Sequence, residues 1–85
     1  MRKISIGKIY RHFKGKLYIV LDIVNDSESN NEEEFSKIVI YQALYGEHLK
    51  WARPYNMFNS LVDTEKYPEI KQKYRFEEVD EVVSK

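Results

Sequence analysis

The chain contains no cysteine, so it can form neither a disulfide nor a thiolate metal site. A domain this small without a covalent staple fits a reducing compartment, and a cytoplasmic location is the expectation. Histidine is scarce as well: His12 and His48 lie far apart, and no paired-histidine spacing assembles a zinc site. Neither a metal nor a cofactor is therefore expected. The only glycines, Gly7, Gly15 and Gly46, are too widely separated to form a phosphate-cradling loop, which excludes a P-loop. Net charge is zero, with 14 cationic side chains against 14 anionic ones, so nucleic acid held by bulk electrostatics is the less favoured partner. The longest apolar run covers residues 17–21 and ends at Asp22. It falls far short of the roughly 20 residues that span a bilayer or the roughly 7 to 15 of a signal-peptide core, so no membrane association or export by that route is expected.

What the chain does have is enough bulk for one core. Of its 85 residues 42% are apolar and 14% aromatic, and large rings supply much of the burial that a small domain needs. A single domain over 1–85 is expected, with a central body over about 7–79, a flexible acidic loop over 26–35 and a tail over 80–85. Charge is segregated along the first third: Arg2, Lys3, Lys8, Arg11, Lys14 and Lys16 precede every acid, and six acids from Asp22 to Glu34 then follow without a base. The two groups can neutralise each other on neighbouring strands, or leave a basic strand free to meet an anion.

Residues 8–13 alternate as a strand, and Phe13-Lys14-Gly15-Lys16 reads as a tight hairpin turn in which Gly15 takes a positive φ. Residues 17–24 form the strongest strand, apolar on both faces and so central in the sheet. Residues 37–44 return as a third strand, and the turn at 45–48 leads into a fourth over 49–53. Pro54 cannot donate to a ladder and ends that strand, and residues 56–62 follow as a short helical turn with Met57, Phe58 and Leu61 inward. Residues 63–73 are polar and interrupted by Pro68, while 74–79 are a candidate last strand. The pattern fits a mainly β fold: a small SH3-like half-open barrel of four to five strands with a short helical turn. An open sheet packed by a helix is the alternative.

No catalytic motif is present: there is neither a Gly-x-Ser-x-Gly elbow nor an oxyanion motif, and 26–34 lacks the spacing of a calcium loop. A non-enzymatic binding module is the favoured class. Two blocks mix rigid aromatics with cations, one from Tyr10 through Arg11, His12 and Phe13 to Lys14, the other from Trp51 through Arg53 to Phe58. Tyr10 or His12, joined by Tyr41 or Tyr45, Trp51 and Arg53, can form a concave surface, with Lys14 at its rim. Arg11 points to the other side of its strand. Aromatic faces with a few cations suit planar anions such as nucleotides. Each residue also has a structural use: Tyr18, Tyr41, Phe58 and Phe76 can fill the core, His12 can be a satisfied structural histidine, and Arg53 can pair with Glu28 or Glu47.

The blocks Gly7-x-x-Tyr10-Arg11-His12-Phe13-Lys14-Gly15-x-x-Tyr18-x-Val20-Leu21, Val39-Ile40-Tyr41-Gln42-Ala43-Leu44-Tyr45-Gly46 and Trp51-x-Arg53-Pro54-x-x-Met57-Phe58 occur here in that order. In them the chain resembles the small bacterial family known as domain of unknown function 1653, over residues 7–62 and the Arg75-Phe76 pair. The resemblance implies no established activity. Members carry a His-Ser-Glu-Thr-like turn between the second and third strands, where this chain has Asp26-Ser27-Glu28-Ser29 and several extra residues. If that turn contributes to a site, the resemblance gives the role to Glu28, which could then meet His12 as an acid–base pair. The candidate ligand-binding set is thus Tyr10, Arg11, His12, Lys14, Glu28, Tyr45, Trp51 and Arg53. Its expected partner is a small anionic or nucleotide-like ligand, with a protein partner as the alternative and weak RNA or DNA binding as the third.

Overall fold

Alternating side chains and two glycine-bearing turns build an antiparallel sheet, seen in a computed structural model that describes residues 2–28 and 36–79. The acidic loop expected over 26–35 lies, beyond residue 28, outside the described residues, and so does the 80–85 tail. Strands β1 (Ile9–His12) and β2 (Leu17–Asn25) form the first hairpin. Its turn is closed by the His12 amide donating to the Lys16 carbonyl at 2.8 Å and the Gly15 amide donating to the His12 carbonyl at 2.7 Å. Gly15 has φ +108°, a conformation that a side chain would strain. Strand β3 (Lys37–Ala43) then pairs with β4 (Lys50–Pro54), the single helical turn α1 spans Tyr55–Phe58, and β5 (Phe76–Glu78) returns to β1.

The strand order is β4-β3-β2-β1-β5, with every pairing antiparallel. As expected, β2 is central. The fold is mainly β, but the sheet is open: β4 and β5 are its edges and do not pair with each other. Strand pairing thus gives the mainly β fold expected from the sequence as an open sheet, without the barrel curvature of the half-open, SH3-like form. Residues 59–75, which lie between α1 and β5 in the chain, are joined in part to one another. The Arg75 amide donates to the Ser60 carbonyl at 2.8 Å, the Val62 amide to the Lys73 carbonyl at 2.9 Å, and Leu61 bridges Tyr74.

Cross-strand partners share a face, so the register sorts the side chains. The pairs Tyr10↔Tyr18, Tyr18↔Ala43, Val20↔Tyr41, Tyr41↔Trp51, Val39↔Arg53 and His12↔Phe76 place all of these residues on one face. A register shift between Val20 and Asp22 inserts Leu21 as a bulge, after which Ile23 rejoins that face opposite Val39. Buried there are Tyr10, Val20, Val39, Tyr41 and Phe76, with Tyr55 and Phe58 of α1 and Ile4 packed on them. The N-terminal segment crosses the same face and satisfies two buried hydroxyls: the Ile4 amide donates to the Tyr55 hydroxyl at 2.9 Å and the Ser5 amide to the Tyr10 hydroxyl at 2.8 Å.

Helix α1 corrects one expectation. Pro54 occupies its N-cap position, so the turn begins at Tyr55, and the inward positions are Tyr55, Phe58 and Val62. Met57 and Leu61, expected to face inward, are 45% and 56% exposed. Phe58→Ala should cost about 3–5 kcal/mol and Leu61→Ala less than about 1 kcal/mol, measured by urea denaturation. Equal losses at the two positions would contradict this packing.

Candidate functional site: an aromatic and cationic pocket

Three neighbouring strands aim their side chains at one small cavity on the core face. Tyr18 comes from β2, Tyr41 from β3, Trp51 and Arg53 from β4, and Tyr45 from the β3–β4 turn, together lining about 200 Å³. Strand register brings the lining together: Tyr41 pairs directly with Trp51, and Tyr18 lies on the same face of the neighbouring strand. The Tyr18 ring meets Tyr41 edge-on at 5.4 Å and Tyr45 at 5.5 Å, and the Tyr18 and Tyr45 hydroxyls share a hydrogen bond of 2.6 Å. Burial pushes the Tyr18 hydroxyl pKa up, and the bond to Tyr45 adds to it, against the opposing charge of Arg53. The phenol stays protonated at neutral pH, so the cavity's formal charge comes from arginine.

Arg53 donates from Nε to the Tyr41 hydroxyl at 3.1 Å, and its guanidinium lies 5.8 Å from the centre of the Phe76 ring. Among the described residues it forms no ion pair, so the pairing with Glu28 or Glu47 open to it in the sequence is not made. Trp51 is 49% exposed, placing it at the rim of the cavity and outside the core. Lys16 stands 5.0 Å over the Tyr45 ring. The arrangement offers flat aromatic walls and one guanidinium with free N–H donors, which is suited to a small planar group bearing negative charge.

His12 stands next to this cavity. Its ring stacks on Phe13 at 4.4 Å and meets Phe76 at 5.0 Å and Tyr18 at 6.5 Å. Nδ1 accepts the Lys14 amide hydrogen at 3.1 Å, so the neutral ring carries its proton on Nε2. Burial first, then the positive charges of Arg75, Arg53 and Lys14, lower its pKa from 6.5 to about 4. Positive charge therefore collects around this histidine without charging the histidine itself.

The remaining candidate residues lie elsewhere. Tyr10 is buried at 1% exposure beneath the N-terminal segment, touching Phe58 edge-on at 5.5 Å. Arg11 projects from the opposite face, paired across the strands with Leu17 and Glu77. Glu28 follows the far end of β2, whereas His12 is bonded to Lys16 at its near end. At about 3.3 Å per residue the nine-residue strand separates them by roughly 30 Å, so Glu28 and His12 are not brought together. Its amide instead closes a local turn onto the Asp26 carboxylate at 2.9 Å. Lys14 is not in the pocket of Trp51 and instead lines a second cavity with His12, Arg75, Lys66 and Tyr67.

Sequence reasoning placed Tyr18 in the core, named Arg75 only within the family resemblance, and did not single out Lys66 or Tyr67. The Tyr18 position was available from strand parity, since it shares a face with Tyr10 and Tyr41. Arg75 is brought to His12 by a contact invisible in any local pattern, the Phe13 amide donating to the Arg75 carbonyl at 2.9 Å.

An open five-stranded antiparallel sheet with one helical turn, carrying an aromatic and cationic pocket on its core face, defines a small, mainly β domain. The chain belongs to the family described as protein of unknown function (DUF1653), whose model matches residues 8–78. No curated protein and no solved structure matches it.

The lowered pKa of His12 has a definite sign in stability. The unfolded ring binds its proton near pH 6.5 and the folded ring near pH 4, so between these values the unfolded chain holds more protons and stability falls as pH falls. Melting temperature should drop between pH 6.5 and pH 4, and His12→Gln should flatten that slope. A ring titration midpoint near 6.5 in NMR would remove its cause.

Proposed function

We propose that this domain is a non-enzymatic binding module that holds a small planar anion, nucleotide-like in character, in the pocket of Tyr18, Tyr41, Tyr45, Trp51 and Arg53. The observation that carries the proposal is Arg53, a half-buried guanidinium without an ion pair among the described residues, set in a wall of aromatic rings. Its planar N–H groups beyond Nε match a carboxylate or phosphate. The volume of about 200 Å³ is below the roughly 300–1,000 Å³ of pockets that enclose whole drug-sized ligands, so it suits one ring with its substituent while the rest stays in solvent. A half-open, SH3-like curvature of the sheet would place this pocket at the mouth.

A protein partner is the second reading, favoured by the outer edge of β4, which has no strand beside it among the described residues. An extended peptide could add there and set an acidic or aromatic side chain into the same pocket. Binding to RNA or DNA is the third, and salt separates it from the others.

The test is an amide-resolved NMR titration with nucleoside monophosphates, sugar phosphates and short oligonucleotides at low and physiological salt. We expect shifts centred on Tyr18, Tyr45, Trp51 and Arg53 that survive added salt and are abolished by Arg53→Gln or Trp51→Ala, with stability changed by less than about 1 kcal/mol. Shifts that vanish with salt would favour nucleic acid. Silence from every probe would leave the peptide reading in first place.

A further inference from the structure

The second cavity, separate from the aromatic pocket, has a volume of about 230 Å³ and collects positive charge from three elements. Lys14 comes from the β1–β2 turn, Arg75 from the segment leading into β5, and Lys66 from the turn after Asp63. Both ammonium groups flank a single ring, with Lys14 Nζ and Lys66 Nζ each 5.6 Å from the centre of Tyr67. None of the three cations has an ion pair among the described residues. Like charges that line one cavity repel one another, and a bound anion would offset that repulsion.

The one carboxylate in the cavity wall, Asp63, is occupied locally. Its Oδ1 accepts the amide hydrogens of Glu65 at 3.0 Å and Lys66 at 3.3 Å, and the Tyr67 amide donates to the Asp63 carbonyl at 2.9 Å. These bonds fix the turn that carries Lys66 and Tyr67. Arg75 is anchored through Nε on the Ser60 hydroxyl at 3.1 Å, which leaves its terminal N–H groups as donors. His12 lines the wall together with the apolar Phe13 and Val62, and with Nδ1 already taken by the Lys14 amide its Nε2–H is the side chain's donor.

We propose that this cavity binds a phosphomonoester, its dianionic oxygens held between Lys14, Lys66 and Arg75 and its ester group lying against Tyr67. Two ammonium groups and a guanidinium match the two charges of a monoester better than the single charge of a diester. The site does not depend on the aromatic pocket, because Trp51 and Arg53 line the other cavity.

The experiment titrates the labelled protein with methyl phosphate, dimethyl phosphate and inorganic phosphate, at fixed ionic strength maintained with sodium chloride. Methyl phosphate should shift the amides of Lys14, Lys66 and Tyr67 and raise the His12 ring midpoint by offsetting the positive field of Lys14, Arg53 and Arg75. The double variant Lys14→Gln with Lys66→Gln should weaken binding by about tenfold or more, while Trp51→Ala should leave it unchanged. Inorganic phosphate binding more tightly than methyl phosphate would assign the site to the free ion, and equal binding of dimethyl phosphate would assign it to a diester; either result overturns the proposal. So would shifts reproduced by chloride alone. Loss of binding in Trp51→Ala but not in the lysine variant would move the anion into the aromatic pocket and leave only that reading standing.

Discussion

The structure depends on the contact between Phe58 and Phe76, whose rings lie parallel, 4.0 Å apart with 3° between their planes. One ring belongs to the helical turn after β4 and the other to β5, so a single stack links elements from opposite edges of the sheet. Tyr10 and Tyr41 pack edge-on against Phe58, and Tyr18 and Tyr41 pack edge-on against Phe76, which turns the stack into the hub of an aromatic core. In a sheet that leaves its edge strands unpaired, this side-chain bond does what a ladder of backbone bonds does in a closed barrel. The position of Arg53 follows from the same hub, since its guanidinium rests beside the Phe76 ring.

Electrostatics make the second theme. The chain as a whole is neutral, yet the side of the core near His12 gathers Lys14, Arg53 and Arg75 with little acid to offset them. Asp63, the acid beside this charge, is engaged by backbone amides within its own turn, and Glu77, on the opposite face of β5, accepts from Lys73 and Tyr74, each at 3.0 Å. Balance in composition and imbalance in space are compatible because a carboxylate whose acceptors are met by backbone amides need not sit beside a cation.

Much of the fold was legible from residue order. Alternation marked β1 to β4 within about a residue at most ends, Gly15 marked the first turn, and the doubly apolar pattern of residues 17–24 marked the central strand. Pro54 signalled the change from strand to helical turn, but the inward face was misread because the turn starts one residue earlier than expected, which exchanges Met57 and Leu61 for Tyr55 and Val62. The pocket was legible in part: Tyr45, Trp51 and Arg53 meet as the strand pattern suggests. Residues 59–75 carry no periodicity, and their fold rests on pairings between distant positions such as Ser60 with Arg75. A reading of local patterns has no access to such pairings, and with them it misses the second cavity.

The bulge in β2 has a consequence for the chain's tolerance of length. Without Leu21 the alternation of the strand would run unbroken from Val20 through Asp22 to Ile23, and each of these would keep the face it now occupies. In a regular nine-residue strand retaining Leu21, Asp22 would instead turn into the aromatic core. The bulge therefore sets the extra residue aside and restores parity, so the same interior is compatible with this strand at either of two lengths. Loss of a residue, ordinarily among the harshest changes a β-strand can suffer, is here a change the sheet is already built to absorb.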